Sequence, residues 1–292
     1  VLVNLVRAAV LAVVAVSIAV DAVSVTVVLV AMFVLGTAET FADITTGTLL
    51  PMLIEPRDLG VANARVNVGQ VTLNQLVGPP LGAFLFAAGM VWPSVAQAVT
   101  CALAAVLVAR IAVGAPERST APTRIRAEIM EGVRWLWRHP PIRTLTLTVT
   151  FFNITFGAAM AVMVLLAEQR LGAGAVGFGL ITTAGAVGGI IGSTSYGWLE
   201  RQLGMANIMR CGLLVETFTH LTLANATSLN VVLAVFVVFG VHEAAWGTTV
   251  ITIRQRAVPL YLQGRIGSVY IMCLMGGLAL GAPIGGVLAQ VW

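Results

Sequence analysis

Acidic residues and histidines lie inside long apolar stretches of this 292-residue chain. Glu39 and Asp43 are four residues apart and therefore share one face of a helix. His242 and Glu243 lie in the middle of a second apolar stretch, and Glu216 lies in a third. An ionisable group near a bilayer centre costs roughly 2.5–3.5 kcal/mol on insertion scales, so it usually has a purpose. These side chains are candidates for binding a proton or a cation; the alternative is a neutral carboxyl group that only ties helices together.

The composition places these residues in a membrane protein. Hydrophobic residues make up 59% of the chain, charged residues only 10%, and the mean hydropathy is +0.97. Soluble domains carry about 25% charged residues, so a surface this apolar must be covered by lipid. All 16 basic residues are arginines scattered between apolar runs, a pattern that indicates membrane topology rather than a nucleic-acid partner.

The sequence lacks the residues that several kinds of metal, disulfide and nucleotide site require. The three cysteines are isolated and give no zinc or disulfide spacing. His242 to Trp246 begins like the HExxH of zinc proteases, but Trp246 replaces the second histidine. Without lysine there is no GxxxxGK[ST] phosphate loop, and the glycines of 185–192 indicate a helix-packing face. We therefore expect no metal, no cofactor and no enzyme activity.

Nine stretches are long and apolar enough to span a bilayer as helices. The predicted spans are 2–20, 24–49, 67–89, 92–112, 144–167, 176–198, 206–224, 229–252 and 267–290. When the spans alternate, Arg170 lies alone on one side and the other fifteen arginines lie opposite. Arginine-rich loops stay in the cytoplasm, which predicts that Val1 enters from the cytoplasm and Trp292 ends outside.

One polar stretch, 113–143, divides the chain into an N-terminal half (1–112) and a C-terminal half (144–292). Within it, apolar residues recur at helical spacing: Ile125, Ile129, Val133 and Leu136. This pattern predicts an amphipathic helix on the cytoplasmic face of the membrane. A solvated linker helix fits the spacing equally well.

The sequence repeats itself at an offset of 203–204 residues. Gly78, Pro80 and Gly82 of the run Gly78-Pro79-Pro80-Leu81-Gly82 correspond to Gly281, Pro283 and Gly285, and Glu39 corresponds to Glu243. Spans one to three thus match spans seven to nine in the same direction, which predicts two pseudo-symmetric halves. The counterparts of spans four, five and six would lie outside residues 1–292. We therefore expect that this sequence contains nine spans of a twelve-span protein; the alternative is a true nine-span protein.

Four stretches resemble the major facilitator superfamily, in its drug- and siderophore-exporting branch (the enterobactin-exporter and macrolide-efflux type). Leu49-Leu50-Pro51 with Ala62-Asn63-Ala64 is similar to the family's loop after the fourth helix, and Gly78 to Gly82 is similar to its antiporter signature. Glu131 to Arg134 with His139-Pro140 is similar to the family's central loop. Pro259 with Gly264-Arg265 is similar to the loop before the eleventh helix.

The resemblance implies a major facilitator helical bundle in which the family's helices three to eleven are present. It also implies that Glu39 and Glu243 face a central cavity, whereas Glu216 lies on a peripheral helix and is the weaker candidate. The family's cytoplasmic gating loop is represented by Gly197, Glu200, Arg201 and Gly204, with Glu200 in place of an aspartate.

The resulting interpretation is a secondary active transporter in the cell membrane that exports small amphipathic molecules, drugs or siderophores, in exchange for protons. The expected partners are this small-molecule substrate, protons and the lipid bilayer, and the protein is expected to be monomeric. One alternative is a non-transporting fragment of such a transporter. The other is an intramembrane enzyme, for which we find no His/Asp, Ser/His or two-histidine constellation in the sequence.

Overall fold

The computed structural model describes residues 1–110 and 125–291, and the regular structure within them is helical. The helices are α1 (Leu2–Ala19), α2 (Val25–Leu53), α3 (Leu59–Val71), α4 (Gly78–Ala88), α5 (Trp92–Ala109), α6 (Ile125–Arg138), α7 (Pro140–Leu165), α8 (Gly174–Asn225), α9 (Leu229–Ala257) and α10 (Gln263–Val291). A π-helical segment, Thr72–Val77, joins α3 to α4; a second, Leu166–Arg170, extends α7; and a 3₁₀ turn, Leu260–Leu262, precedes α10.

The predicted membrane-spanning helices are present in the described part of the chain. Eight helices are long and apolar enough to cross a membrane, and the longest of them contains two predicted spans. This helix, α8, is interrupted at Gly204, whose φ of 71° and ψ of 157° are not helical. Glycine adopts a positive φ readily because it has no Cβ. The prediction of an all-α membrane protein is confirmed.

The predicted start of the third span was wrong. Its helix begins at Leu59 rather than at residue 67, so Ala62, Asn63 and Ala64 lie within α3 and not in a loop. Asn63 is buried, and its amide donates hydrogen bonds to side chains of α9. Because other helices satisfy this polar group, the polar run does not end the helix.

The π-helical segment Thr72–Val77 directly precedes the proline pair of the repeated sequence. A proline has no N–H to donate, and its ring clashes with the carbonyl group four residues earlier. For Pro79 and Pro80 these carbonyl groups belong to Gln75 and Leu76, inside the segment. The wider helical turn is thus a local consequence of the prolines.

The chain forms two compact units. The first comprises Val1–Leu53 and the described part of Val77–Pro122; in it α1 packs against α2 and α5, and α4 packs against α5. The second comprises Ile54–Leu76 and the described part of Thr123–Trp292; in it α8 pairs with α9, α7 pairs with α10, and α3 packs against α8 and α9. The division into halves at 1–112, 113–143 and 144–292 stays a prediction.

Glycines allow α8 and α9 to pack with their backbones in contact. A Cβ atom on Gly188 or Gly192 would collide with the backbone of Val237 or Val241, and one on Gly240 would collide with that of Gly185. Small residues at helix crossings permit this approach in membranes. The prediction that the glycines of 185–192 form a packing face is confirmed.

The helix predicted in the linker occurs as α6, and charged residues hold it to α10. Arg265 pairs with Glu131 at 2.5 Å. Leu136 is buried, whereas Ile129, on the predicted apolar stripe, is exposed. The predicted linker's first part lies within 111–124, outside the described residues, and the placement of α6 on the membrane surface stays a prediction.

Candidate functional site

A cavity of about 270 Å³ lies within the second unit, between α3, α8 and α9. Its polar side chains are four amides from α3 and the π-helical segment, and a carboxylate and a hydroxyl group from α9: Asn63, Asn67, Gln70, Gln75, Glu243 and Thr248. Glycines of α8 and α9 bring backbone to its wall: Gly185, Gly189, Gly240 and Gly247. The cavity therefore combines a carboxylate, hydrogen-bonding groups and a wall of glycine backbone and aliphatic side chains.

Three of these amides lie on one face of α3, because Asn63, Asn67 and Gln70 follow helical spacing. Asn63 donates to Oε1 of Gln255 at 2.7 Å, and Asn67 donates to Oγ of Ser193, also at 2.7 Å. Gln70 is exposed to the cavity and makes no side-chain hydrogen bond to the described residues. Two amides thus hold α3 to its neighbours, and the third is available to a ligand.

Sequence analysis missed these amides. The resemblance places Asn63 in a loop, and an uncharged amide does not stand out in an apolar stretch as a carboxylate does. Their spacing of four and three residues within a spanning helix is a signal that would have identified them.

Glu243 is the predicted site residue that lines this cavity. Its side chain is exposed there, and it hydrogen-bonds to no residue within 1–110 or 125–291. The preceding residue, His242, points to another side of α9 and is buried. Both neighbours are candidates by sequence, but the helix turns them towards different surroundings. An unpartnered carboxylate of this kind can bind a proton or a cationic group.

Glu216, predicted as the weaker candidate, contacts His242 across the packing of α8 and α9. Its Oε2 lies 3.3 Å from Nε2 of His242, and its Oε1 lies 3.7 Å from Nδ1 of His220. Glu216 and His220 are one helical turn apart in the sequence, whereas the contact between Glu216 and His242 depends on how the two helices pack. Among the described residues, no three His, Cys, Asp or Glu side chains are grouped to hold a metal ion.

Glu39 lies in the first unit and has a partner that Glu243 lacks. It forms an ion pair with Arg7 of α1 and remains about half exposed. Asp43 is exposed one turn further along α2. By the repeat, Arg7 corresponds to Arg210, which instead donates to Oδ1 of Asn207 at 3.2 Å. The two carboxylates at equivalent positions of the repeat are therefore in different electrostatic environments.

The predicted gating loop is helical up to its last residue. Gly197, Glu200 and Arg201 lie in α8, and the helix is broken only at Gly204. These residues thus form the end of one helical segment and the break after it rather than a loop, and their gating role stays a prediction.

Glu200 and Arg256 tie α8 and α9 to the segment before α3. Arg256 binds Glu200 at 3.3 Å, and its Nε donates to the carbonyl oxygen of Pro56 at 2.6 Å. The Glu200 carboxylate also occupies the space where a Cβ atom of Gly60 would lie. Sequence analysis counted Arg256 for topology only, since nothing in its spacing indicates these partners.

The repeated glycine-proline sequence occurs in two different environments. A Cβ atom on Gly281 or Gly285 would collide with the backbone of Ile154 or Ala158 of α7. At Gly82 no described residue lies within 4 Å of the equivalent position. The second copy is therefore a helix-packing contact, and the first has no such contact at Gly82 in the part of the chain described.

Comparison with known proteins identifies the family over the full length. The sequence model of the family described as transmembrane secretion effectors, of the major facilitator (MFS) type, matches residues 1–292. An MFS-type transporter of Sinorhizobium fredii (strain NBRC 101917 / NGR234) is 26% identical over 245 residues, which are 82% of this chain and 60% of that protein. The multidrug efflux pump Tap of Mycolicibacterium fortuitum is 26% identical over 226 residues, covering 74% and 53%.

This chain thus spans between about half and three fifths of the length of these curated relatives. Among solved structures, it resembles a bacterial homologue of the iron transporter ferroportin in an outward-facing state, with a TM-score of 0.69 over 91% of this chain and 66% of that one. At 18% identity the likeness concerns the fold alone. The narrower enterobactin-exporter or macrolide-efflux branch stays a prediction. The chain belongs to the transmembrane secretion effector family of major facilitator transporters.

Proposed function

We propose that this protein is a secondary active exporter that exchanges protons for small amphipathic molecules across the cell membrane. One observation carries the proposal: the cavity of the second unit exposes a carboxylate, Glu243, beside an amide, Gln70, inside a membrane-spanning bundle. An ionisable side chain in such a place is retained for a function more often than for packing.

The cavity lining suggests the class of cargo. A carboxylate attracts a cationic amine, an amide can donate and accept hydrogen bonds, and the glycine-lined wall accepts a flat apolar surface. Amphipathic organic molecules, drugs or siderophores, combine these features. The name of the Mycolicibacterium fortuitum relative, a multidrug efflux pump, supports the drugs.

Proton coupling follows from competition at Glu243. A proton and a cationic cargo would use the same carboxylate oxygens, so binding of one releases the other. Glu39 and Asp43 are further coupling candidates, although the ion pair with Arg7 already provides Glu39 with a counter-charge. His242 and Glu216 would act through their charge near Glu243.

The contacts of Arg256 suggest how access alternates. Breaking its bonds to Glu200 and Pro56 would separate α8 and α9 from the segment preceding α3. We expect these contacts on the cytoplasmic side, together with α6 and most arginine-bearing loops.

The test is efflux of ethidium, a hydrophobic cation, from liposomes containing the purified protein, with and without a pH gradient. Glu243→Gln keeps the shape of the side chain and removes its charge, while Glu168→Gln makes the same change at an exposed residue away from the cavity. We expect gradient-driven efflux in the parent and in Glu168→Gln and its loss in Glu243→Gln. Equal efflux in all three proteins would disprove the role of Glu243.

A second candidate function is that the 292-residue chain binds cargo but does not transport it by itself. The uncontacted position at Gly82, in a sequence whose copy is tightly packed, favours this alternative. It predicts ethidium binding without transport when the 292-residue chain is reconstituted alone, whereas gradient-driven efflux by that chain would exclude it.

A further inference from the structure

Three titratable side chains form a line through the packing of α8 and α9, outside the amide-lined cavity. Glu216 is in the middle, with its Oε2 3.3 Å from Nε2 of His242 and its Oε1 3.7 Å from Nδ1 of His220. The exposed fraction of the side chains rises along the line, from 7% for His242 to 14% for Glu216 and 40% for His220. The line thus connects the interior of the helix pair with a more accessible position.

The surroundings of His242 are apolar and shaped to admit its ring. It borders a crevice of about 240 Å³ whose other lining residues are aliphatic side chains, a glycine and a cysteine. A Cβ atom on Gly212 would lie 2.7 Å from the imidazole, so glycine at this position makes room for the ring. In such surroundings a net charge is unfavourable, and the three groups are most stable when they share one proton.

Hydrogen bonding assigns the tautomer of His220. Its Nδ1 lies 2.9 Å from the backbone carbonyl oxygen of Glu216, which can only accept. Nδ1 therefore carries a hydrogen, and Nε2 is the nitrogen that can take up another proton. A His220 ring protonated at Nε2 is a cation whose Nδ1 nitrogen is 3.7 Å from Oε1 of the Glu216 carboxylate.

We propose that His220, Glu216 and His242 form a proton relay. A proton binds Nε2 of His220. The side chains of His220 and Glu216 then rotate from their 3.7 Å separation to hydrogen-bond distance, and the Nδ1 proton leaves the backbone carbonyl oxygen and passes to Oε1 of Glu216, which becomes a neutral carboxyl group. Rotation of this carboxyl group about its Cγ–Cδ bond brings the proton to Nε2 of His242. His242 becomes the cation, Glu216 is again a carboxylate, and His220 is neutral as the Nε2–H tautomer. The total charge of the three groups stays constant after the proton enters.

Other titratable groups near the relay define its destination. Glu243, next to His242 in the chain, interacts electrostatically with both His242 and Glu216. Cys211 of α8 lines the crevice. On the side of α7 and α10, Tyr270 packs in a cluster with Trp246, and Arg254 lies 4.5 Å from the Tyr270 ring. The relay therefore delivers positive charge beside the cavity carboxylate, and its coupling role rests on the proposed function.

The test observes the histidines directly and needs no transport. The chain has three histidines, and the third, His139, stacks on Trp135 at the end of α6, so it serves as an internal control. The full chain, labelled with ¹⁵N-histidine and placed in lipid nanodiscs, is titrated by NMR as the parent, Glu216→Gln and His220→Gln. Glu168→Gln is the control for loss of a charge elsewhere.

In the parent we expect the signals of His220 and His242 to shift together with pH, because they share one proton. Glu216→Gln should remove this coupling, and His220→Gln should change the midpoint of His242, both without moving His139. Independent titration of the two histidines in the parent, or an unchanged His242 signal in both variants, would overturn the relay. A relay seen without gradient-driven efflux would leave this inference standing and reject the proposed function.

Discussion

The two copies of the internal repeat have similar sequences and different contacts. In the second unit, Gly281 and Gly285 pack against the backbone of α7, and Glu243 faces a cavity without a charged partner. In the first unit, Gly82 has no described neighbour within 4 Å at its Cβ position, and Glu39 is paired with Arg7. The comparison teaches that a repeat preserves residue types, whereas the neighbouring helices decide what each residue does.

The largest difference between the two copies should be in how much protein stability depends on the repeated glycines. We expect Gly281→Leu to destabilise the protein by about 3 kcal/mol or more, because its side chain would collide with backbone that cannot rotate away. Gly82→Leu should change stability by less than about 0.5 kcal/mol, as surface substitutions do. Thermal denaturation of both variants in detergent measures the difference, and equal destabilisation would mean that the first copy is also packed.

The second largest difference should be in how much ethidium efflux depends on Glu243 and on Glu39. We expect Glu243→Gln to reduce gradient-driven ethidium efflux at least about tenfold, since a proton-transfer group of this kind contributes that much or more. Glu39→Gln should reduce it about twofold or less, because the half-exposed pair with Arg7 contributes little by itself. Initial efflux rates at matched protein density provide the comparison, and a larger loss in Glu39→Gln would reverse the assignment.

Arg256 provides a test of the contacts at the end of the second unit. Arg256→Gln removes the bonds to Glu200 and Pro56 and should lower local protection from hydrogen exchange in the first turns of α3 by about 1.5 kcal/mol. Arg201→Gln is the control, since Arg201 is exposed and directly follows Glu200 in α8. Unchanged exchange in Arg256→Gln would show that these contacts do not hold α3.

The smallest effect is expected from the amides of α3. Gln70→Leu should weaken ethidium binding about three- to tenfold, roughly 1 kcal/mol, with stability unchanged, because the amide is available in the cavity. Asn67→Leu should instead lower stability, since it leaves Ser193 without its donor. Fluorescence titration and thermal denaturation of both variants separate binding from packing.

Sequence patterns were sufficient for the helical fold and for the position of Glu243 within a membrane-spanning helix, because hydropathy reports on the membrane; its role stays a prediction. They predicted nine spans, which occur in the described residues as eight helices because α8 contains two of them, and a glycine packing face, which is confirmed. They missed Asn63 and Arg256, whose hydrogen-bond partners lie far along the chain. They also missed Gln70, which is exposed in a cavity that forms only when α3, α8 and α9 pack together. Contacts between helices depend on how each helix is rotated about its axis and on how deep each residue lies in the bundle. No simple spacing in one sequence reports either quantity.

The assignment of the coupling site to Glu243 rather than Glu39 can be tested most directly by proton release. Ethidium is added to the purified protein in weakly buffered detergent containing a pH-indicator dye. If cargo and proton compete for Glu243, the parent and Glu39→Gln release protons on binding, and Glu243→Gln binds with little release. Equal release by Glu243→Gln and the parent would contradict this assignment.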